Sequence, residues 1–365
     1  MTSVAIDVLG VDRFGGGLQT ATIGRSRVVW NFGDFEAECW ALRNGAGLID
    51  ISAGGPIRVS GAEAVDLLQA CLTRDIEFLI PDRAQWALVL HQDGTIIDAV
   101  TVIAGDGEYT VLTGPGRAAD VEDALRQAAQ DLDVGVDNLE IGTAVFAVEG
   151  PQSWKAVADV LGAEYVSLGY ENVLALEIEG RECLVARIGV TGEYGYTFIL
   201  PGDIAADLWG QLAASGAVPA GHQARETAML EVRQPIVHRE VTAEDTVISA
   251  GLNWLVDLGK DDFVGRDALV AATAAPPASG PVGFVVTSGS VQAGDSLHVG
   301  AEAVGEIVYV AESPALSAVI GLARVAREWQ ASGLDFATDA TDATAVRTLA
   351  PPYVVPTSWS VAIDV

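Results

Sequence analysis

Apolar residues recur along this chain in two rhythms, short near-continuous or alternating runs and longer stretches spaced by three and four, and their order lays out the elements. Residues 34–44, Asp34-Phe-Glu-Ala-Glu-Cys-Trp-Ala-Leu-Arg-Asn44, read as a helix ended by Gly45 and Gly47. Pro56-Ile-Arg-Val-Ser60 reads as a strand, and 61–73 as a helix with Val65, Leu68 and Leu72 on one face. Trp86-Ala-Leu-Val-Leu90 and Thr95-Ile-Ile-Asp-Ala-Val-Thr-Val-Ile-Ala104 flank the hairpin signal Gln92-Asp93-Gly94-Thr95. Glu108-Tyr-Thr-Val-Leu112 is a further strand, 117–132 a helix with Val121, Leu125 and Ala128 in register, and 143–148 a strand that closes the block. The order β-α-β-β-β-α-β predicts a split α/β layer, with helices on one face of a largely antiparallel sheet.

Residues 153–234 are mixed again, with helices predicted at 154–161, 204–214 and 223–232 and strands at 173–178 and 182–188. Ala271-Ala-Thr-Ala-Ala-Pro-Pro-Ala-Ser-Gly280 is the best linker candidate. Short strands then dominate, at 282–286, 303–310 and 318–325, the signature of a small β-barrel or sandwich. The hexapeptide Ser-Val-Ala-Ile-Asp-Val occurs at 3–8 and again at 360–365, a single match and not a repeat array.

One position breaks the apolar pattern. Asp98 sits inside the run 95–104, and an ionised carboxylate among Ile and Val is costly unless a cation or hydrogen-bond donors meet it. Such a carboxylate is either structural, with a dedicated partner, or chemical. Trp86 on the preceding strand and Asp98 can face one cavity, a plausible wall for a planar heteroaromatic ligand.

At 365 residues the chain suggests two or three domains, and with half of it hydrophobic it is globular. No apolar stretch reaches the length of a membrane span, and the N-terminus lacks a basic region and a long apolar core, so a cytoplasmic protein is expected. Cys39, Cys71 and Cys183 are far apart and odd in number, against a disulfide framework or a zinc site. The net charge of −30 argues against nucleic-acid and anionic-membrane partners. Lys155 and Lys260 are the only lysines, a bias that fits a GC-rich genome or a salt-adapted host.

Gly189-Val-Thr-Gly-Glu-Tyr-Gly-Tyr-Thr197 predicts a tight turn presenting Thr191, Glu193 and Tyr194. Glu193 is either a ligand-binding acid or a solvated turn residue. No phosphate loop is present, and Gly15-Gly16-Gly17 reads as a flexible lead-in. The four histidines (His91, His222, His238 and His298) lack metal spacing. His91 either reaches the cavity of Asp98 or simply ends its hairpin. Gly114-Pro-Gly116 either seats an anion at the following helix or forms a plain turn. No nucleophile elbow is found.

Taken together these segments resemble the T-protein family of the glycine cleavage system, the folate-dependent aminomethyltransferases and their demethylase relatives. The resemblance rests on Ala41-Leu-Arg-Asn-Gly-Ala-Gly-Leu-Ile-Asp-Ile-Ser52, Gly94-Thr-Ile-Ile-Asp98, Glu149-Gly-Pro151 and Thr191-Gly-Glu-Tyr-Gly-Tyr196. It continues in Ala224-Arg-Glu-Thr-Ala-Met-Leu-Glu231, Asp262-Phe-Val-Gly-Arg-Asp-Ala-Leu269 and Ile320-Gly-Leu-Ala-Arg-Val325. It implies an α+β fold of three domains, a cloverleaf around a central folate-type cavity with a C-terminal β-barrel. The implied boundaries are 1–53 with 145–245 as a discontinuous α/β domain, 54–144 as an inserted split α/β domain, and 246–365 as linker and barrel. Asp98 matches the catalytic aspartate. Trp86, Thr113, Tyr170, Glu193, Thr197 and Arg225 are the implied tetrahydrofolate-site residues, with Trp86 and Tyr170 as aromatic walls. No metal is implied.

The chain also departs from the family pattern. Thr197 stands where a second Glu grips the pterin, Thr113 where an Asn is usual, Met229 where a second Arg is usual, Val190 where a Tyr is usual, and Ala99 follows a single Asp98. Loss of the buried Glu should weaken folate binding by about 2–4 kcal/mol unless another acceptor replaces it. That argues against the housekeeping T-protein role. The stretch Arg233-Gln-Pro-Ile-Val-His-Arg-Glu240 lacks the cysteine of the iron–sulfur-assembly relatives. The expectation is a diverged transferase moving a one-carbon unit between a small methylated or aminomethylated metabolite and tetrahydrofolate. A family enzyme that has abandoned folate, and a non-catalytic folate or ligand sensor, are the alternatives. Docking of a lipoyl-carrier protein is not expected, though the sequence leaves it open.

Overall fold

The computed structural model describes residues 9–14, 17–338 and 345–364. Gly15, Gly16 and the first copy of the repeated hexapeptide lie outside the described residues. Among the described residues the strands form a hairpin, Gln19–Ile23 with Ser26–Asn31, and three larger sheets.

A mixed sheet runs in the order Val173–Ile178, Arg181–Ala186, Gly195–Pro201, Thr143–Glu149, Gly47–Asp50 and Val218–Pro219, and only the last pairing is parallel. Its core, around Leu48, Phe146, Phe198 and Tyr196, is covered by the helices Ser153–Leu161 and Gly202–Ala214. A second, antiparallel sheet orders Arg83–Leu90, Ile96–Ala104, Glu108–Leu112, Pro56–Ser60 and Gly135–Asn138. The helices Ala64–Cys71 and Ala118–Ala128 close its core through Leu67, Leu68, Val121 and Leu125. The third sheet is a closed barrel, Ser279–Ser288, Ala318–Ala326, Glu302–Ser313, Ser296–Val299, Asp335–Ala337 and Ala345–Leu349. Closure leaves the barrel no unpaired edge.

Local chemistry explains several of these elements. Asp34 caps the helix Phe35–Asn44 by accepting the Ala37 N–H at 3.0 Å. The Asp93-Gly94 hairpin forms as expected: Gly94 takes φ +79°, and Asp93 accepts the Thr95 N–H at 3.0 Å. Three expectations need correction. Residues 143–148 do not close the first block; that strand lies in the mixed sheet beside Gly47–Asp50, because a strand buried on both faces carries no mark of which sheet it joins. Gly135–Asn138 closes the block instead, and its Gly, Asp and Asn disguise it as a turn. The linker candidate 271–280 shrinks to residues 275–278, since the helix Arg266–Ala274 and the strand beginning at Ser279 occupy the rest.

The strand Ile96–Ala104 is buried along almost its whole length. Its pairing shifts from Val89 opposite Asp98 to Leu90 opposite Ile96, a bulge at Ile97 that interrupts the alternation just before Asp98. Val100 and Val102 enter the core under the two helices, while Ala99 and Thr101 line a cavity.

Candidate active site

Asp98 keeps 1 % of its surface exposed. Its Oδ2 accepts the Gly114 N–H at 2.6 Å, and its Oδ1 has no hydrogen-bond partner among the described residues. Burial pushes the carboxyl up from 3.8 to about 7; the N–H groups of Gly114 and Ala99 and the charge of Arg117 pull the other way without offsetting it. So the Gly114 N–H of the turn 114–116 is taken by a carboxyl of its own chain. A Cβ on Gly114 would stand 2.6 Å from Asp98 Oδ1, so the carboxyl's place depends on glycine there.

The cavity at Asp98 holds about 930 Å³ of atom-free space, its solvent-facing mouth included. Ile51, Leu112, Val145 and Ile188 make apolar walls and Trp86 an aromatic one. Thr113, Thr197 and Arg225 also line it. The Thr113 hydroxyl donates to the Gly54 carbonyl, and that of Thr197 to the Ile188 carbonyl at 3.3 Å. Arg225 is buried, and its Nε has no partner among the described residues. Burial draws its pKa down against the nearby charges of Glu149 and Glu226.

Glu149 and His238 line the space as well. Glu149, 1 % exposed, accepts at Oε2 the N–H groups of Val190 (3.0 Å) and Thr191 (2.9 Å) and the Thr191 hydroxyl (2.6 Å). No protein donor among the described residues meets its Oε1. His238 sits on the short helix Val237–Glu240.

Residues 20–260 match the family described as GCVT N-terminal domain, about two thirds of the chain. The chain belongs to this family, that of the glycine cleavage T-proteins. It is 34 % identical over 304 residues to a protein named aminomethyltransferase from Streptomyces coelicolor, covering 80 % of this chain and 82 % of that one. A protein of the same name from Rubrobacter xylanophilus is 33 % identical over 300 residues, covering 81 % and 80 %. The solved glycine cleavage system aminomethyltransferase T from Bartonella henselae superposes with a TM-score of 0.89 over 96 % of this chain and 98 % of that one, at 23 % identity. The α+β fold with its C-terminal barrel is thus the fold of that T-protein.

Of the residues anticipated for the family's cavity, Asp98, Trp86, Thr113, Thr197 and Arg225 are brought together and two are not. Glu193 is turned away from the space. Its carboxylate accepts the N–H groups of Thr357 (3.0 Å) and Ser358 (2.8 Å) and the Ser358 hydroxyl (2.5 Å), and lies 3.3 Å from Arg43. With its oxygens engaged, it fastens the C-terminal segment to the turn and has none to offer a ligand. Tyr170 is 63 % exposed and lines an open groove with Phe78, Ile80 and Trp254. That groove meets the cavity only at Trp86 and Gly189, so Tyr170 is no wall of it. His91 does not line the cavity either; it is exposed at the end of its hairpin.

Glu149 was visible in the sequence in the same way as Asp98, as a carboxylate ending a core strand, Thr143–Glu149. His238 carried no such signal, because what marks it is a partner on another helix.

Among the described residues no helix is long and apolar enough to cross a membrane.

Proposed function

We propose that this cavity takes a tetrahydrofolate-type pterin and that the chain moves a one-carbon unit between it and a small methylated or aminomethylated amine. The observation that carries the reading is a pair of buried carboxyls, Asp98 and Glu149, each with one oxygen held by the protein and the other met by no donor among the described residues, in one apolar, Trp-walled space. A pterin matches that arrangement, since it offers a flat face and a row of N–H donors. Support also comes from the relatives named aminomethyltransferase.

The acceptor missing at Thr197 has a substitute nearby. Thr197 pairs with Ala147, and Glu149 is two residues further along that strand, on the same face and diagonal to Thr197. Oε1 of Glu149 would receive the pterin N–H groups, and the Val190 and Thr191 donors would hold the carboxylate in place. Trp86 would cover one face of the ring, and the Arg225 guanidinium, whose Nε has no partner among the described residues, would meet a carbonyl or carboxylate oxygen. Tetrahydrofolate, when bound, supplies the nitrogen that gives or receives the one-carbon unit. Asp98, with its pKa near neutrality, holds or releases a proton at Oδ1 and stabilises positive charge at the transferring centre.

The test is calorimetric titration with tetrahydrofolate and 5-methyltetrahydrofolate of the native chain and its Glu149→Gln and Thr197→Glu variants. Micromolar binding by the native chain, weakened about tenfold or more by Glu149→Gln, is expected. No binding by the native chain, with binding restored by Thr197→Glu, overturns the reading and leaves a repurposed cavity.

A further inference from the structure

His238 anchors a polar cluster on the cavity wall, apart from Asp98 and Glu149. His238 lines the cavity, and its Nε2 lies 2.9 Å from Oε1 of Glu226, a residue with no exposed surface. Oε2 of Glu226 accepts Arg239 Nε at 2.9 Å and the Tyr309 hydroxyl at 3.1 Å. Burial alone would raise the Glu226 pKa, but the hydrogen bonds and charges of His238 and Arg239 hold it below the usual carboxylate value. Glu226 is therefore a fixed anion. An imidazole nitrogen facing such an anion carries its hydrogen there, which leaves the other nitrogen, Nδ1, with the free lone pair. Nδ1 meets no protein partner among the described residues, and the side chain keeps 13 % of its surface open.

We propose that His238 is a second proton-transfer group of this cavity, taking at Nδ1 the proton of a substrate ammonium, with Glu226 as its positioning residue. In that step the substrate N–H bond breaks, its electron pair stays on nitrogen, and an Nδ1–H bond forms. The positive charge passes to the imidazolium, facing Glu226. The step reverses when the amine leaves. Asp98 and His238 divide the work by environment: Asp98 lies in an apolar pocket with one donor, whereas His238 is tied to a carboxylate. The amine comes from the proposed one-carbon transfer; the state of the imidazole does not depend on it.

Two measurements test the proposal. In the first, the ligand-free chain labelled with 15N-histidine is titrated by NMR. The groups facing His238 are Glu226, Arg239 and Tyr309, with His222 and Arg225 beyond them on the helix His222–Val232; burial holds His222 near a pKa of about 3, so it stays neutral throughout. His238 is expected to show the Nε2–H tautomer while its ring is neutral. Glu226→Gln, which removes the anion facing the ring, is expected to lower the His238 midpoint. Should that variant not fold, Tyr309→Phe, which removes one hydroxyl from Glu226, is expected to move the His238 midpoint alone among the histidines. An Nδ1–H tautomer, a ring charged across the whole range, or a midpoint that neither variant moves overturns the proposal.

In the second, transfer to tetrahydrofolate from a panel of N-methyl and N-aminomethyl amines is followed as kcat and KM. His238→Gln is expected to lower kcat about 100-fold with KM changed less than about threefold, and to remove the imidazole limb of the pH profile. An unchanged kcat overturns it. If no amine in the panel reacts, the folate reading fails and the ligand-free titration alone decides the role of His238.

Discussion

Asp98 and Glu193 are both buried carboxylates beside glycine-bearing turns, and their surroundings could hardly differ more. Asp98 accepts the Gly114 N–H at Oδ2 and has no partner at Oδ1 among the described residues. Glu193 has two backbone N–H groups, a hydroxyl and a guanidinium. Arg43, the cation at that second site, also binds Glu231 at 2.7 Å and the carbonyls of Thr191 and Ala228 at 2.6 Å. Glu231 in turn accepts the Ser313 hydroxyl of the barrel at 2.6 Å. The Glu193 region is a clasp joining the helix Phe35–Asn44, the turn between the mixed-sheet strands Arg181–Ala186 and Gly195–Pro201, the barrel and the C-terminal segment. Satisfied donors make a carboxylate a fastening, and their absence keeps one available for chemistry.

Arg43 holds the Glu193 clasp and distinguishes it most directly from Asp98. Arg43→Met strands Glu193 and Glu231 without their cation and is expected to cost about 3–5 kcal/mol in urea unfolding. A loss under about 1 kcal/mol would show that the clasp is not a fastening. Asp98→Asn is expected to lower one-carbon transfer about 100-fold or more. It should also change stability in a pH-dependent way. Between 3.8 and about 7 the folded chain keeps an Asp98 proton that the unfolded chain has released. The stability linked to that proton is full below 3.8 and lost as pH rises through 7. Asn escapes this loss, so the variant gains on the native chain by about 2–4 kcal/mol from pH 4 to pH 8, read by unfolding at both pH values. Equal stability differences at the two ends would mean that Asp98 is ionised throughout.

Gly114→Ala sharpens the same contrast by disturbing the carboxyl through its single donor. The added methyl meets Oδ1, and a stability loss of about 1–3 kcal/mol with reduced transfer is expected. A neutral result would mean that Asp98 can swing without consequence. Smallest of all, Tyr170→Ala should change stability by less than about 0.5 kcal/mol and folate affinity by less than about twofold. A tenfold loss of affinity on titration would return Tyr170 to the wall of the site.

Much of this was legible in advance. Asp93-Gly94 announced its hairpin, Asp34 its helix, and the apolar run 95–104 made Asp98 stand out. The ordered motifs from 41 to 325 pointed to the family. The bulge at Ile97 was not legible, because nothing in Thr-Ile-Ile-Asp distinguishes a strand that keeps its register from one that slips by a residue. Nor was the fate of Glu193, whose donors at 357 and 358 come from the far end of the chain. The exposure of Tyr170 and the pairing of His238 with Glu226, 12 residues away on another helix, were hidden because packing and not local pattern sets them.

What the sequence determined by itself was the set of elements and the residues that sit wrongly within them, because periodicity, capping and turn geometry are local properties of a few neighbouring residues. Which misplaced carboxylate became a clasp and which stayed bare was decided only by the tertiary structure. Hydrogen-bond satisfaction in a buried site depends on which distant segments arrive with donors, and Arg43, Ser358 and Gly114 reach their partners only once the sheets have packed.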